Sequence, residues 1–456
     1  MNATPIIALV VAAGMLAAAL WRRTAVYRSR FQYNPACDYQ YDLEPADGAK
    51  VAIRLDRDGF IWPQAAGDTV FLRVNVSVDL IGRSFDPSID AGSNGAKFRH
   101  YFERGARGVR YINLSGIART AAAGERVNLR GRHLHFGTGE TELFFFRNEP
   151  LADRKVLIIA PHPDDAEISA FGVYSSTDSF IATITAGDLG CARFSPVFAD
   201  PLAHAQASAE LRVWDSIVVP RIGGLDPSRA VNLGYFDGKL SEMRRQPDRE
   251  VSDGNAAGLS IERLRQYNVA MILPQTPKPT WNSLIDDLVE ILRRVEPDVI
   301  VMPFPALDDH PDHRAAAYAV CEALQRIGPR EGKFYLYTTH PESTSLYPFG
   351  PADGAITLPP CLGKPVRISG VASLDLSEPQ RRLKFLALEA MHDLRDLPRV
   401  KRYRLLRLAR FVAAELQGVL AGMDLDPASF FRRAVRPNEL FVVLPFSRAQ
   451  ELLPRE

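Results

Sequence analysis

Residues 155–160 read KVLIIA, an unbroken apolar run that ends at Pro161. Six residues are too few for a buried helix, and without polar alternation neither face can be wet, so the run predicts a strand covered on both sides. Strands of that kind belong to parallel sheets flanked by helices. The chain after Pro150 keeps to this grammar, with further apolar runs at FIATITAG (180–187), AMILP (270–274) and DVIVMP (298–303). Between the last two, Leu284, Ile285, Leu288, Val289, Leu292 and Val295 fall on one face of a helix that begins near Asn282 and is stopped by Pro297. No GxGxxG follows the first strand, so the phosphate-cradling loop of a dinucleotide site is missing.

Residues 31–150 follow a different rule. From Thr69 to Ile81, Val70, Leu72, Val74, Val76, Val78 and Leu80 alternate with Arg73, Asn75, Ser77 and Asp79, the pattern of a strand with one buried face. VRYINL (109–114), GERVNL (124–129) and ELFFFR (142–147) are further short strands separated by Gly-containing turns. A chain of 456 residues exceeds what one core usually holds. The expected organisation is a membrane anchor and basic flank at 1–30, an all-β sandwich-like domain at 31–150, and an α/β domain at 151–456. The last has a Rossmann-like, largely parallel sheet and a C-terminal helical extension. Trp62, Tyr101, Phe102 and Tyr111 offer the β-domain either core packing or a ring platform for sugars.

Thr4–Trp21 is an uncharged run whose helix would reach roughly 27 Å, enough to cross a bilayer. No basic residue precedes it, while Arg22, Arg23, Arg28 and Arg30 follow. This favours an uncleaved anchor over a signal peptide cut near Ala17, Ala18 and Ala19, and a cytoplasmic globular part. The expectation is a single-pass inner-membrane protein. Arg399–Gly422, with Arg402, Arg404, Arg407 and Arg410, reads as a solvated helix packed on the domain or one lying on an anionic membrane. With 55 Lys and Arg against 54 Asp and Glu, no basic excess marks a nucleic-acid partner. Cys37, Cys191, Cys321 and Cys361 are too scattered for a zinc ribbon or a disulfide scaffold.

The chemistry concentrates where two predicted strands end. KVLIIA runs into Pro161-His162-Pro163-Asp164-Asp165-Ala166-Glu167, and DVIVMP is followed by Asp308-Asp309-His310-Pro311-Asp312-His313-Arg314. Ligands of open α/β sheets bind beyond the carboxyl ends of strands, and buried strands deliver side chains there with little slack. Taken alone, Asp164 and Asp165 also suit a helix N-terminus as capping groups. The second cluster favours a site: Pro311 suits a first helical position, which puts His310 and His313 about one turn apart. A His/Asp/His set with one position open is a known catalytic zinc arrangement. His100, His133, His135 and His204 lack such surroundings and are read as packing or surface residues.

APHPDDAE followed at a distance by HPDH resembles the PIG-L/LmbE-like zinc-dependent de-N-acetylases, over roughly residues 153–345. Members act on GlcNAc-phosphatidylinositol, mycothiol precursors, chito-oligosaccharides and related N-acyl sugars. TAGDLG (185–190), with Asp188, and LGYFDGKL (233–240) are weaker matches, and His392 in KFLALEAMHDLRD is looser still. Many members read HPDDE where Ala166 here precedes Glu167, which leaves the ligand positions intact and the role of Glu167 open.

The resemblance implies that His162, Asp165 and His313 bind Zn2+, that Asp164 is the general base, and that His310 stands near the developing oxyanion. Asp312 would orient one of its neighbouring histidines. The implied activity is removal of the acetyl group from an N-acetylated sugar or glycolipid. Two alternatives remain: hydrolysis of another amide such as a thiol-sugar conjugate, or a membrane-tethered glycan-binding protein with an inactive deacetylase-like domain.

Overall fold

The computed structural model describes residues 14, 21, 24–25, 27, 29–30, 34, 38–93, 95–189, 197–253, 258–269, 273, 277–342, 344–362, 365–392 and 432–454. The chain forms two compact units. One comprises Met1–Phe146, His340–Gly350 and Gly354–Arg367; the other comprises Arg147–Thr339, Pro351–Asp353 and Ile368–Glu456.

The first unit contains two antiparallel sheets. One has the order Ala49–Leu55, Gly139–Phe146, Thr69–Val78, Arg107–Asn113, with Leu134–Phe136 also paired to Thr69–Val78. The other runs Gly59–Ile61, Arg126–Arg132, Ser88–Ser93, Ala96–Tyr101. In Thr69–Val78 the alternation does what it must: Val70, Leu72, Val74 and Val76 are buried while Arg73, Asn75 and Ser77 face out. Leu72, Ile112 and Leu143 of one sheet share a core with Ile89, Val127 and Leu129 of the other. Trp62, Phe102 and Tyr111 are also buried, and Trp62 packs edge-on against Phe145 at 5.6 Å. Those three rings are core, not a platform for sugars. Apolar ring area buried at about 25 cal/mol per Å2 outweighs what an exposed ring gains from water.

The second unit is built on a seven-stranded sheet in the order Ala230–Tyr235, Asp178–Thr185, Lys155–Ala160, Val299–Pro303, Lys333–Tyr337, Asn438–Pro445, Val371–Asp375. The first five strands are parallel, and Asn438–Pro445 joins antiparallel to both of its neighbours. Lys155–Ala160 lies in mid-sheet, which is why its sequence is apolar without alternation. The amphipathic helix is Trp281–Val295; Thr280 caps it by accepting from the N–H of Ser283, and Glu296 ends it with φ +48. AMILP (270–274) lies outside the described residues apart from Leu273. The place beside Asp178–Thr185 is taken by Ala230–Tyr235.

Among the described residues no helix is long and apolar enough to cross a membrane. A spanning helix needs about 20 predominantly apolar residues. Pro201–Val218, Trp281–Val295 and Pro311–Ile327 each carry several charges instead. This overturns the single-pass inner-membrane expectation. Thr4–Trp21 lies outside the described residues apart from Gly14 and Trp21, and Arg399–Gly422 lies outside them entirely.

Candidate metal centre

Within the parallel part of the sheet the chain steps from Lys155–Ala160 outward to Asp178–Thr185 and Ala230–Tyr235, then returns to the opposite side at Val299–Pro303. The strand order therefore reverses between Lys155–Ala160 and Val299–Pro303, paired through Val156↔Val299, Leu157↔Ile300 and Ile158↔Val301. Such a switch point opens a crevice beyond the carboxyl ends of the two strands. Both His/Asp motifs emerge there.

After Ala160 the turn is held by Thr185, whose hydroxyl donates to Pro161 O at 2.9 Å. The N–H of His162 donates to Asp165 Oδ2 at 2.9 Å, which fixes the buried Asp165 carboxylate at the start of the short helix Asp165–Ser169. On the other strand, Pro311 opens the helix Pro311–Ile327, and the N–H of Asp312 donates to His310 Nδ1 at 3.3 Å. His313, fully buried, points back from the first turn of that helix.

The two segments meet through three atoms. His162 Nδ1 is 3.3 Å from Asp165 Oδ2, His313 Nε2 is 3.2 Å from the same oxygen, and the two ring nitrogens are 3.2 Å apart. The outer nitrogens face carboxylates as well. His313 Nδ1 lies 3.1 Å from Asp308 Oδ2, which also accepts the Thr339 N–H at 3.0 Å and hydroxyl at 3.2 Å. His162 Nε2 lies 3.2 Å from Asp237 and 3.5 Å from Asp312. The ring of His310 stands edge-on to His162, centroids 4.7 Å apart, and lies 4.9 Å from His313. Two other donor groups, His162/His310/His313 and His162/Asp237/Asp312, also lie within 4.8 Å of one another.

Burial opposes charge on every member of this cluster. For His162 the hydrogen bonds to Asp165, Asp237 and Asp312 outweigh burial and raise its pKa well above the ordinary value. His313 is likewise lifted, against burial, to about 10 by Asp165 and Asp308. Burial would raise Asp165, yet His313 and His162 hold it well below the usual carboxylate range. His310 is depressed by burial and by the other two imidazoles. Without a metal, protons on two histidines balance the carboxylates; a divalent cation can take that place.

Asp164 sits at the N-cap of Asp165–Ser169, but its side chain makes no capping bond. It faces Arg212, whose Nη2 is 3.8 Å away, while Nη1 donates to Gly187 O at 2.7 Å. Gly187 has φ +65, and a Cβ there would meet that guanidinium at 2.3 Å, so glycine is what lets Arg212 reach the site. Asp188 accepts the N–H of Asp237 at 2.8 Å, and burial, then nearby Asp237 and Asp253, push it up to about 6.

Asp312 was expected to orient His310 or His313. Its side chain instead accepts from the N–H groups of Gly238 and Leu240 and approaches His162, because successive helical side chains diverge by about 100°. Glu167 is buried, receives the Tyr174 hydroxyl at 3.3 Å, and is raised well above the carboxylate range, chiefly by burial. His392 pairs with Asp215 at 2.6 Å. Asp308, Asp237, Arg212 and Thr339 are the contributors that sequence reasoning did not single out. Asp308 and Asp237 stood inside quoted motifs, whereas Thr339 carried no local signal.

Residues 157–324 match the family model PIG-L, described as GlcNAc-PI de-N-acetylase. The diacetylchitobiose deacetylase of Thermococcus kodakarensis is 26% identical over 196 residues, which are 41% of this chain and 56% of that protein. The chain thus spans little more than half the length of this curated relative. Among solved structures, a deacetylase of the teicoplanin biosynthesis pathway is 15% identical with a TM-score of 0.33, covering 64% of this chain and 98% of that one. The A40926 pseudoaglycone deacetylase is 16% identical with a TM-score of 0.33 and the same coverages, 64% and 98%. Both motifs lie inside the matched segment and meet at the sheet's switch point, so it is residues 157–324, carrying the centre, that match the PIG-L family domain.

Proposed function

We propose that the α/β unit is a zinc-dependent hydrolase that removes the acetyl group from an N-acetylated sugar. The observation that carries this reading is the triangle of His162 Nδ1, Asp165 Oδ2 and His313 Nε2, with sides of 3.3, 3.2 and 3.2 Å. Ligands about 2.0–2.1 Å from a tetrahedral zinc stand about 3.3 Å from each other, so donor type and spacing both suit that ion. The carboxylates behind each imidazole supply the outer partners that fix ring orientation and basicity. Zinc, when bound there, makes water acidic near neutral pH and polarises the amide carbonyl.

The chain's own groups do the rest. Asp164, beside the triangle and steadied by Arg212, takes the proton from the attacking water and returns it to the nitrogen as the C–N bond breaks. The amine leaves neutral, and the acetic acid formed gives its remaining proton to solvent and departs as acetate. His310 spends Nδ1 accepting the Asp312 N–H, so its neutral ring carries the proton on Nε2 and donates it toward the negative charge developing on the amide oxygen.

The sugar assignment draws on the description of the matched family and on the diacetylchitobiose deacetylase relative. Acetate release from a panel of soluble and lipid-linked N-acetylglucosamine compounds, with and without added zinc, tests it. Zinc-dependent release from at least one is expected. Release from none, by protein that holds its zinc, would end the sugar reading.

A further inference from the structure

The short helix that begins with Asp165 stops after Ser169, and a second begins at Phe171 and runs to Tyr174. Between them Ala170 leaves helical geometry, with φ −136 and ψ 19. The sequence there, DAEISAFGVY, contains no proline, and the hydrogen bonds from Ala170 N–H to Ala166 O and from Tyr174 N–H to Ala170 O are made as in a continuous helix. Ser169 and Gly172 make this stretch easier to bend, but neither removes a backbone hydrogen-bonding group as proline would.

Two residues from far along the chain occupy the break. In an unbroken helix the N–H of Gly172 would donate to Ile168 O, four residues earlier. Here Ile168 O accepts instead from Lys384 Nζ at 2.8 Å, and the Gly172 N–H donates to both carboxylate oxygens of Glu439 at 3.0 Å. Lys384 and Glu439 are joined to each other at 2.8 Å, and neither is more than 2% exposed. The ion pair is therefore inserted into one helical hydrogen bond, with each ion satisfying the group it displaced. A Cβ on residue 172 would stand 2.9 Å from Glu439 Oε2 and 2.9 Å from Leu376 Cδ1, so Gly172 keeps the carboxylate's seat open. Lys384 comes from the helix Glu378–Ala390 and Glu439 from the strand Asn438–Pro445, both outside the matched family segment.

We propose that Lys384 and Glu439 are positioning residues for the metal centre. By wedging open the Ile168–Gly172 bond they give the one-turn helix Asp165–Ser169 a direction of its own, and with it the placement of Asp164 and Asp165. Removing the wedge lets residues 165–174 relax toward one continuous helix, which turns Asp165 away from His162 and His313. A bare buried ion pair is weak evidence of stability, since well-packed apolar residues often replace one without loss. What the pair supplies here is geometry.

This inference rests on the zinc reading of the centre, and the test separates the two. In the full-length protein, Lys384→Met combined with Glu439→Met removes both charges at similar volume. Zinc affinity, measured by competition with a chelator, should fall about 10 to 100-fold, the range for groups that orient metal ligands. With cobalt(II) in place of zinc, the visible absorption bands should shift, and kcat should drop while KM changes little. The control is Arg110→Met with Glu103→Gln, which removes another fully buried ion pair from the β-unit. It should lower stability and leave zinc affinity and the cobalt spectrum as in wild type.

Unchanged affinity and spectrum in the Lys384/Glu439 variant, while wild type binds zinc stoichiometrically, overturns the inference and spares the centre. Weakened zinc in the control overturns it too, because general loosening would then suffice. Wild-type protein that takes up no zinc overturns both. Should the double methionine variant fail to fold, Gly172→Ala pushes on the same carboxylate from the backbone side. It should weaken zinc by about 10-fold; wild-type affinity there overturns the proposal.

Discussion

His100 in the β-unit and His313 in the α/β unit are both 0% exposed, yet burial has opposite consequences for them. His100 Nε2 donates to Asn113 O at 2.7 Å with no carboxylate in its hydrogen bonding, and burial drives its pKa down to about 4. His313 is flanked by Asp165 and Asp308, which overcome the same penalty and lift it to about 10. Desolvation is common to the two; charged company is not. A buried imidazole alone is a packed aromatic, whereas one between carboxylates is held ready for a cation or a proton.

Exchanging the two histidines' fates would break the comparison most severely. His313→Ala and His162→Ala should each lose most of the zinc and about 10³-fold or more of the activity, because a two-ligand site cannot hold the ion. His100→Gln should keep both. Metal analysis on purified proteins decides it: full zinc in either centre variant, or loss of zinc in His100→Gln, would show that carboxylate company is not what distinguishes them.

A smaller effect separates neighbours within the centre. Asp165 lies in the donor triangle and Asp164 does not, although both follow the same strand. Asp164→Asn should keep zinc and fold while kcat falls by about 10² to 10⁴-fold. The defect should appear in kcat more than in KM. Zinc loss with kcat preserved in the remaining holoenzyme would mean that the two roles had been exchanged.

What the sequence disclosed follows the same line between local and distant causes. Lys155–Ala160 and Val299–Pro303 were legible because full burial leaves an unbroken apolar run, and their terminal motifs were legible because histidine, proline and aspartate cluster within a few residues. Ala230–Tyr235 is just as buried but reads AVNLGY. Asn232 interrupts its apolar pattern and is satisfied only in the fold, donating to Thr185 O and Ser216 and accepting the Gly234 N–H. The loop after that strand brings Asp237 to His162, so missing the strand obscured the partner. Thr339 reaches Asp308 across 31 positions of sequence, and Glu439 reaches Gly172 across 267. No periodicity encodes contacts at such separations. The aromatic residues of the β-unit left core and platform both open in the sequence for a related reason: alternation shows that a strand has two faces without saying where its loops and ends fold the rings.

The gentlest way to sharpen the comparison is to titrate it, following His100. Its folded-state pKa of about 4 lies below the ordinary 6.5 because burial disfavours the charged ring. The folded β-unit therefore binds fewer protons than the unfolded chain between those values. Its stability from this group is complete above pH 6.5 and declines as pH falls toward 4. At about 1.4 kcal/mol per pKa unit, the decline amounts to about 3 kcal/mol. Glutamine at position 100 offers an N–H to Asn113 O but has nothing to protonate, so the variant should lack this acid sensitivity while being less stable at pH 7 through poorer packing. Urea unfolding of the two proteins from pH 7 to pH 4, with hydrogen exchange at Tyr111 and Ile112 reporting on the β-unit, gives converging stability curves on this account. Parallel curves would mean that His100 takes up its proton as readily when buried as in the unfolded chain, and that charged company is not needed for a buried imidazole to become charged.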